Sequence, residues 1–244
     1  MTEPRSAAGP DRRHKGRRKG HALSARRQAL VDTLLPRLRP ALGGEGAVDL
    51  RGPLPGHDRL WLEVGFGGGE HLAWQAGANP DVTMIGAEPF LNGVASLLAH
   101  VDDGGLDNVR ILDSDVRPLL DALPEASLER IVVLFPDPWP KTRHHKRRIV
   151  NRETARRFAA LLADGGELRL ATDIMDHARW MMAAVWPLDD LVWQARGPDD
   201  WRIRPDDWPE TRYEAKARRA GRASVFLRFR RRPRAMSAVS PVRA

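Results

Sequence analysis

The sequence predicts an α/β fold with a doubly wound, mostly parallel sheet and helices on both of its faces. Two observations lead to this class. Apolar segments of strand length alternate with amphipathic segments of helical length from residue 59 onward, an order typical of parallel sheets. The segment 131–135 is apolar throughout, as expected of a strand that is covered on both faces.

The predicted elements follow the chain in order. A short helix begins after Ser24, a suitable N-cap, and ends at Pro40; a loop with Gly43, Gly44 and Gly46 follows. Strands are predicted at residues 59–64, 82–87, 109–112, 131–135, 168–172, 191–194 and 224–229. Helices are predicted from the turn after the first strand through Trp74, from Phe90 to Val101, from about Arg152 to Ala163, and from Ile174 to Val185. Gly165 and Gly166 should end the third of these helices.

Length and charge indicate one domain with two basic tails. The 244 residues fit a single domain at 23–232, with flexible tails at 1–22 and 233–244. Residues 1–27 hold nine Lys or Arg against two acids, a net charge of +7, and residues 228–244 hold six Arg and no acid. Since the whole chain carries +8, residues 28–227 carry −5. An acidic body with basic ends suits a polyanionic partner, and solvated disordered tails explain the charge equally well.

The composition also excludes several kinds of protein. Without cysteine the chain forms neither disulfides nor cysteine-ligated zinc sites. No apolar run has the length of a transmembrane helix, and the basic N-terminus lacks the apolar core of a secretory signal. We therefore expect a cytoplasmic protein with no membrane partner. The sequence does not decide between a monomer and a homodimer.

A glycine-rich turn after the first strand predicts a nucleotide-type cofactor site. The turn has the pattern Gly65-x-Gly67-x-Gly69 after Glu63, and Glu88 ends the second strand, where an acid can accept both hydroxyls of a ribose. A dinucleotide would place its pyrophosphate against Glu70, where its motif requires glycine. S-adenosylmethionine is a cation without phosphate, so the pattern favours it over NAD; a turn that serves only packing is the alternative. Asp115 follows the third strand, near the expected adenine edge, and a solvated loop acid explains it equally well.

The segment 134–148 combines an acidic turn with a run of cations. Asp137 stands between two prolines and is followed by Trp139, a composition suited to holding a flat polar ring. The basic residues after it are Lys141, Arg143, Lys146, Arg147 and Arg148. We expect a recessed carboxylate that contacts a base and cations that contact phosphates, which indicates an enzyme acting on a base within a nucleic acid. His144 and His145 lack the spacing of a metal site, and no metal is expected.

Five segments resemble the bacterial tRNA (guanine-N7-)-methyltransferases. They are residues 62–69, 86–90, 135–148, 171–173 and 211–214, and the resemblance extends from about Arg17 to Arg230. The Phe-Pro-Asp-Pro-Trp run with its basic tail is highly specific to this family, whereas many methyltransferases share the glycine turn. The chain departs from the family at Thr142, where a basic residue is common, and has Ala87 at a position that varies.

The resemblance implies a Rossmann-like, S-adenosylmethionine-dependent methyltransferase fold. The implied activity is transfer of a methyl group from S-adenosylmethionine to N7 of the variable-loop guanine, position 46, of tRNA. On the matching positions, the cofactor-binding residues would be Glu63, Gly65, Gly67, Glu88, Asp115 and Asp137. Asp137 would also be the catalytic residue. The tRNA would be contacted by Lys141, Asp173, Thr211, Arg212, Tyr213 and Glu214.

Other functions and local structures stay open at the level of sequence. An amino-group RNA methyltransferase is one alternative, because residues 136–139 are distantly similar to the Asp/Asn-Pro-Pro-aromatic turn of such enzymes. A non-catalytic RNA-binding protein is another, disfavoured by the intact set of acids, and Glu70 disfavours an NAD oxidoreductase. Asp173 could cap the helix that follows it instead of binding RNA. Without the resemblance, residues 211–214 are interpreted as a polar loop.

Overall fold

The computed structural model describes residues 20–42, 48–49 and 59–234. Most of both predicted tails and the loop with Gly43, Gly44 and Gly46 lie outside the described residues. The described part consists of a seven-stranded sheet, the helices that cover it, and a small antiparallel ribbon of β1 (Ala41–Leu42) and β2 (Val48–Asp49).

The main sheet is mostly parallel, as predicted. Its strands are β3 (Arg59–Val64), β4 (Val82–Ala87), β5 (Val109–Leu112), β6 (Leu128–Leu134), β7 (Leu162–Thr172), β8 (Leu191–Trp193) and β9 (Val225–Arg231). Their order across the sheet is β5-β4-β3-β6-β7-β9-β8. The first five are parallel, and β9 is antiparallel to both β7 and β8. The strand order reverses between β3 and β6, the doubly wound arrangement.

The helices alternate with the strands. They are α1 (Ala25–Thr33), α2 (Leu35–Leu38), α3 (Glu70–Ala78), α4 (Leu91–Gly104), α5 (Arg117–Ala122), α6 (Arg152–Leu161), α7 (Met175–Val185), α8 (Asp199–Arg202) and α9 (Arg212–Arg219), with a 3-10 helix at Thr142–Arg147. Ser24 caps α1 as predicted, accepting a hydrogen bond from the Arg27 backbone N–H. Asn151 and Thr154 form a capping box at the start of α6.

Hydrophobic side chains bury both faces of the sheet. Neighbouring residues of β3 point to opposite faces, so Leu62 belongs to one core cluster and Trp61 to the other. The cluster around Leu62 is filled from α5, α6 and α7, for example by Phe158. The cluster around Trp61 is filled from α2, α3 and α4, for example by Leu97. The predicted placement of helices on both faces is confirmed.

Several boundaries differ from the sequence prediction, among them those of β6, α6 and β7. β6 begins at Leu128 instead of residue 131, because Arg130 lies over the Trp61 ring at 3.7 Å and is accommodated in the strand despite its charge. α6 ends at Leu161, and β7 starts at the next residue. The predicted break at Gly165 and Gly166 therefore lies inside a strand, where Gly165 adopts a φ of 78°.

Residues assigned to the tails are partly held by the domain. The Gly20 N–H donates to Asn92 Oδ1 at 2.7 Å, and Asn92 Nδ2 donates to the His21 carbonyl at 2.8 Å. At the other end Arg234 forms an ion pair with Asp164 at 2.6 Å. These contacts connect Gly20, His21 and Arg234, which the sequence prediction placed in the tails, to the domain. Among the described residues, no helix combines the length and apolar character needed to cross a membrane.

Candidate active site

The carboxyl ends of the five parallel strands bring most of the predicted site residues to one edge of the sheet. Asp115 follows β5, Glu88 follows β4, Glu63 lies near the end of β3, Asp137 follows β6, and Asp173 follows β7. Open α/β sheets bind ligands at this edge, beside the point where the strand order reverses. Here that point lies between β3, with the glycine turn after it, and β6, with the Asp137 turn after it.

The glycine turn requires glycine for its backbone conformation and for a close helix contact. Gly65, Gly67 and Gly69 have φ values of 72°, 57° and 81°, which L side chains rarely adopt. A Cβ on Gly93 in α4 would lie 2.2 Å from the Gly67 carbonyl oxygen. A Cβ on Gly65 would meet nothing within 4 Å. The turn is therefore closed toward α4 and open at Gly65, where a ligand can approach the backbone.

Glu88 is held by the turn and is close to a second acid. Its carboxylate accepts hydrogen bonds from the backbone N–H groups of Gly67 and Phe90, each at 2.9 Å. Burial raises the pKa of Glu88; the two backbone hydrogen bonds oppose this shift, and the nearby Asp137 carboxylate adds to it. Two acids whose charges repel each other favour a cationic ligand between them.

Glu63 lies in a buried polar contact with a histidine that the sequence prediction missed. His71 Nδ1 lies 2.7 Å from Glu63 Oε2, and only 2% of His71 and 7% of Glu63 are exposed. Both residues line a small cleft together with Gly65, Thr211 and Tyr213. The signal in the sequence was a polar residue on the buried face of α3, where hydrophobic residues are expected.

Asp115 lies at the predicted edge with its carboxylate already bonded. One oxygen accepts the Arg117 backbone N–H at 2.9 Å, and the other pairs with the Arg117 guanidinium at 2.7 Å. The neighbouring Asp113 pairs with Arg39 through two hydrogen bonds. Asp115 thus shapes the start of α5, and its contact with a cofactor stays a prediction.

Asp137 lies on a strained turn and is exposed. The sequence prediction of a recessed carboxylate is therefore wrong. Phe135 and Trp139, on either side of it, have φ values of 49° and 40°, a left-handed conformation that is unfavourable for large side chains. The Phe135 N–H donates to the Ala171 carbonyl at 2.8 Å. Trp139 does not project freely, because Arg147 lies over its ring at 4.9 Å.

Arg148 holds the other end of this turn. Its Nε donates to the Pro138 carbonyl at 2.7 Å, and its Nη2 lies 3.1 Å from Asp176 Oδ2. The guanidinium also lies 4.8 Å from the Trp180 ring centre. Only 1% of Arg148 is exposed. The prediction that Arg148 contacts phosphate is wrong, since its charge is enclosed between the turn and α7.

The other cations of the run form a surface next to Asp137, which we call the basic surface. It comprises the exposed residues Lys141, Arg143 and Lys146 and the half-buried Arg147. The 3-10 helix Thr142–Arg147 carries all but the first. Partial burial, followed by the charges of Arg147, Arg143 and Lys141, lowers the pKa of His144. His144 is therefore neutral near pH 7, and the charge of the surface comes from Lys and Arg.

Residues 211–214 form the start of a helix instead of a polar loop. Thr211 is the N-cap of α9, and its hydroxyl accepts the Glu214 backbone N–H at 3.2 Å. The missed signal is Thr-x-x-Glu, a capping-box sequence. Glu214 is also paired with Arg204 at 3.1 Å. Burial raises the pKa of Glu214, and Arg204 partly offsets this effect.

The same segment lies against the glycine turn. A Cβ on Gly67 would be 2.8 Å from the Tyr213 ring, and Arg212 forms an ion pair with Glu70 at 2.8 Å. Burial raises the pKa of Tyr213; Arg212 lowers it, and the carboxylates of Glu88, Asp137 and Glu70 raise it further. Residues predicted to contact tRNA thus form one wall of the predicted cofactor cleft.

Asp173, just after the end of β7, forms an ion pair with Arg222 at 2.7 Å. The alternative that Asp173 caps the following helix is wrong, because the N-cap of α7 is Ile174. Thr172 Oγ1 accepts the Ile174 N–H at 3.2 Å instead. The Asp173 carboxylate is therefore held by Arg222 and has no role in starting α7.

Solved structures share the fold at low sequence identity. The antibiotic-resistance methyltransferase Kmr superposes with a TM-score of 0.53 at 19% identity, over 77% of this chain and 93% of that one. The 16S rRNA methyltransferase KamB superposes with a TM-score of 0.51 at 17% identity, over 75% of this chain and 91% of that one. These similarities show a Rossmann-like methyltransferase fold.

Comparison of sequences identifies the family more specifically than comparison of structures does. The model of a family described as "Putative methyltransferase" matches residues 57–227. A tRNA (guanine-N(7)-)-methyltransferase of Rhodospirillum rubrum is 54% identical over 92% of this chain and 90% of its own length. Proteins of the same name from Ruegeria sp. TM1040 and Caulobacter vibrioides are 45% and 44% identical, over 93% and 95% of this chain. The chain belongs to the family of bacterial tRNA (guanine-N(7)-)-methyltransferases.

Proposed function

We propose that this protein transfers a methyl group from S-adenosylmethionine to N7 of a tRNA guanine, and that this guanine is position 46 of the variable loop. The observation that carries the proposal is the place of Asp137, between the glycine turn that ends β3 and the basic surface. A cofactor and an RNA base can meet only where both kinds of surface adjoin. Because tRNA is the substrate, we propose that the protein works in the cytoplasm.

The residues of the cleft suit S-adenosylmethionine. Gly65 leaves open space beside the backbone, and Glu63, Glu88 and Asp137 provide carboxylates for a cationic ligand. Glu70 lies in the first turn of α3, paired with Arg212, where a dinucleotide would need room for its pyrophosphate. When bound, S-adenosylmethionine supplies a methyl group on a sulfonium, activated for displacement.

The residues around Asp137 would act mainly by positioning. Guanine N7 has an in-plane lone pair and needs no deprotonation before it attacks, so no general base is required. Asp137 can accept hydrogen bonds from the guanine N1–H and exocyclic amine, which fixes the ring and rejects adenine. The ring gains positive charge as the methyl group arrives, and a fixed carboxylate stabilises that charge.

The exposure of Asp137 suits a macromolecular substrate. An exposed carboxylate is well solvated, and its electrostatic effect is strong only after water is removed. A bound tRNA would remove that water itself, held by the basic surface through its phosphates. The guanine would have to leave its stack to reach Asp137. A fluorescent base analogue placed at position 46 should change its emission on binding; unchanged emission would argue against this step.

The decisive test is incubation with labelled S-adenosylmethionine and unmodified tRNA, followed by nucleoside analysis. We expect 7-methylguanosine from wild-type tRNA and none when guanine 46 is replaced by adenine. A methylated exocyclic amine would instead support the amino-group methyltransferase alternative. Asp137→Ala should abolish turnover and keep most of the tRNA affinity. Absence of any methylated nucleoside from folded protein that binds the cofactor would refute the enzymatic proposal.

A further inference from the structure

The hydrogen bonds around His71 define where its proton lies. Gln75 Nε2 lies 2.6 Å from the Asp207 carbonyl oxygen, which can only accept, so this atom of Gln75 is the amide nitrogen. The same nitrogen lies 3.3 Å from His71 Nε2. Asn79 Nδ2 lies 3.3 Å from the other end of the amide, Gln75 Oε1, and donates to it. His71 Nε2 is therefore the acceptor.

A histidine that accepts at Nε2 carries its proton at Nδ1. His71 Nδ1 therefore donates to Glu63 Oε2, over 2.7 Å. Trp208, 1% exposed, covers the imidazole edge-on with ring centres 6.3 Å apart. Asn79, Gln75 and His71 thus form a directed series of donors that ends on one oxygen of Glu63. A buried carboxylate held in this way keeps one orientation.

The position of Glu63 along the edge of the sheet indicates which part of the cofactor it meets. Its strand β3 lies between β4, which leads to Glu88, and β6, which leads to Asp137. Glu88 has the place of a ribose-binding acid, and Asp137 is where the methyl group should reach guanine. The amino-acid end of S-adenosylmethionine then projects near β3. That end carries the ammonium group, a suitable partner for a fixed carboxylate.

We propose that His71 is a positioning residue that orients the Glu63 carboxylate toward the ammonium group of the cofactor's amino-acid end. This inference rests on the proposed function, since it requires an S-adenosylmethionine-type ligand. It adds a residue to which the sequence prediction assigned no role. It also assigns a role to the buried Gln75 amide, which sets the tautomer of the His71 imidazole.

Two ligands separate this role from a general effect on the fold. S-adenosylhomocysteine and 5′-methylthioadenosine share the adenosine and thioether, but only the first has the amino-acid end. By titration calorimetry, His71→Leu should weaken S-adenosylhomocysteine binding about 10- to 100-fold, the size of one charge-assisted hydrogen bond. Binding of 5′-methylthioadenosine should change less than about twofold. His71→Asn, which can place an amide N–H near the Nδ1 position, should restore most of the affinity.

Controls and alternative outcomes distinguish the explanations. His100→Leu, on α4, is a matched control and should leave both affinities unchanged. In a Glu63→Gln background, His71→Leu should have little further effect, because the two residues act as one unit. If His71→Leu does not fold, Gln75→Met frees the tautomer and should weaken S-adenosylhomocysteine selectively, by a smaller factor.

The inference is overturned if His71→Leu weakens both ligands equally or weakens neither. Wild-type protein that binds neither ligand would overturn the proposed cofactor and this inference together. Wild-type protein that binds S-adenosylhomocysteine but yields no 7-methylguanosine would refute only the proposed function. Each outcome therefore assigns the failure to one of the two proposals or to both.

Discussion

Arg148→Met is the substitution that most directly tests how the Asp137 turn is held. The turn contains two residues in the left-handed conformation, Phe135 and Trp139, so it needs external anchors to keep its shape. Arg148 supplies one through its hydrogen bond to the Pro138 carbonyl at 2.7 Å. Methionine has a similar length and keeps the apolar part of the side chain, but cannot donate. The substitution removes the anchor with little loss of volume.

The expected loss of unfolding free energy in Arg148→Met follows from the three contacts of the Arg148 guanidinium. A hydrogen bond that involves a charged group contributes about 1.5–3 kcal/mol, and a desolvated cation–π contact with Trp180 about 1–2 kcal/mol. Asp176 is 73% exposed at its side chain, so water replaces the lost partner and no buried charge is left behind. Allowing for the packing that methionine keeps, we expect a loss of about 2–3 kcal/mol in unfolding free energy. For a domain of this size that corresponds to a decrease in Tm of about 5–10 °C.

The effect on catalysis should exceed the effect on binding. A shift of about 1 Å at Asp137, the proposed catalytic carboxylate, can lower kcat about 100-fold. Arg148 is buried, so we expect it to make no contact with the tRNA phosphates. Steady-state kinetics with tRNA transcript, together with filter-binding affinities, should show the loss in kcat and a tRNA Kd within about threefold of wild type. Asp176→Asn should have a small effect on both. A normal kcat in Arg148→Met, or a loss of tRNA affinity matching that of Arg143→Ala, would refute this reasoning.

Three further predictions concern the basic surface, the glycine turn and a buried histidine. Lys141→Ala should weaken tRNA binding and reduce the slope of log K against log salt concentration by about one; an unchanged slope would mean that Lys141 contacts no phosphate. Gly93→Ala should displace α4 from the Gly67 carbonyl, lowering Tm and cofactor affinity in thermal melts and calorimetry; a variant with wild-type values would contradict the close contact. Burial, then Arg148, lowers the pKa of His177 to about 4 from 6.5, so the unfolded chain takes up a proton between these values that the folded chain does not, and stability should fall as pH decreases from 6.5 to 4. His177→Leu should flatten that part of a Tm-against-pH curve, and an unaltered curve would show that another group controls it.

The sequence predicted β3, β4 and β5 with the observed bounds because apolar residues predominate in them and turns follow them. It missed α9 because Ala217 is the only buried residue within that helix. The helix has no row of large apolar residues, so the sequence alone predicts a polar loop there. Its start, however, was encoded locally in Thr211 and Glu214.

The acids of the candidate site could be predicted because each lies at or just after the carboxyl end of a strand, at the edge where parallel sheets bind ligands. Their surroundings could not, because they depend on contacts distant in sequence. Arg147 and Arg148 are identical in type and adjacent, yet one lies on the surface over Trp139 and the other is enclosed by α7. His71 gained its role from Gln75, Asp207 and Glu63 together, and no local pattern identifies such a set.

Tyr213 of α9, whose ring packs against the glycine turn, links the binding of the cofactor to the binding of tRNA. If residues 211–214 contact tRNA, as the family resemblance implies, and also form a wall of the cofactor cleft, this segment cannot respond to one ligand alone. If cofactor binding moves Tyr213, the free-energy change of that movement alters the affinity for tRNA. Thermodynamic linkage then requires that bound tRNA alters the cofactor affinity by the same factor. The affinity measured for either ligand is then a property of the mixture in which it is measured.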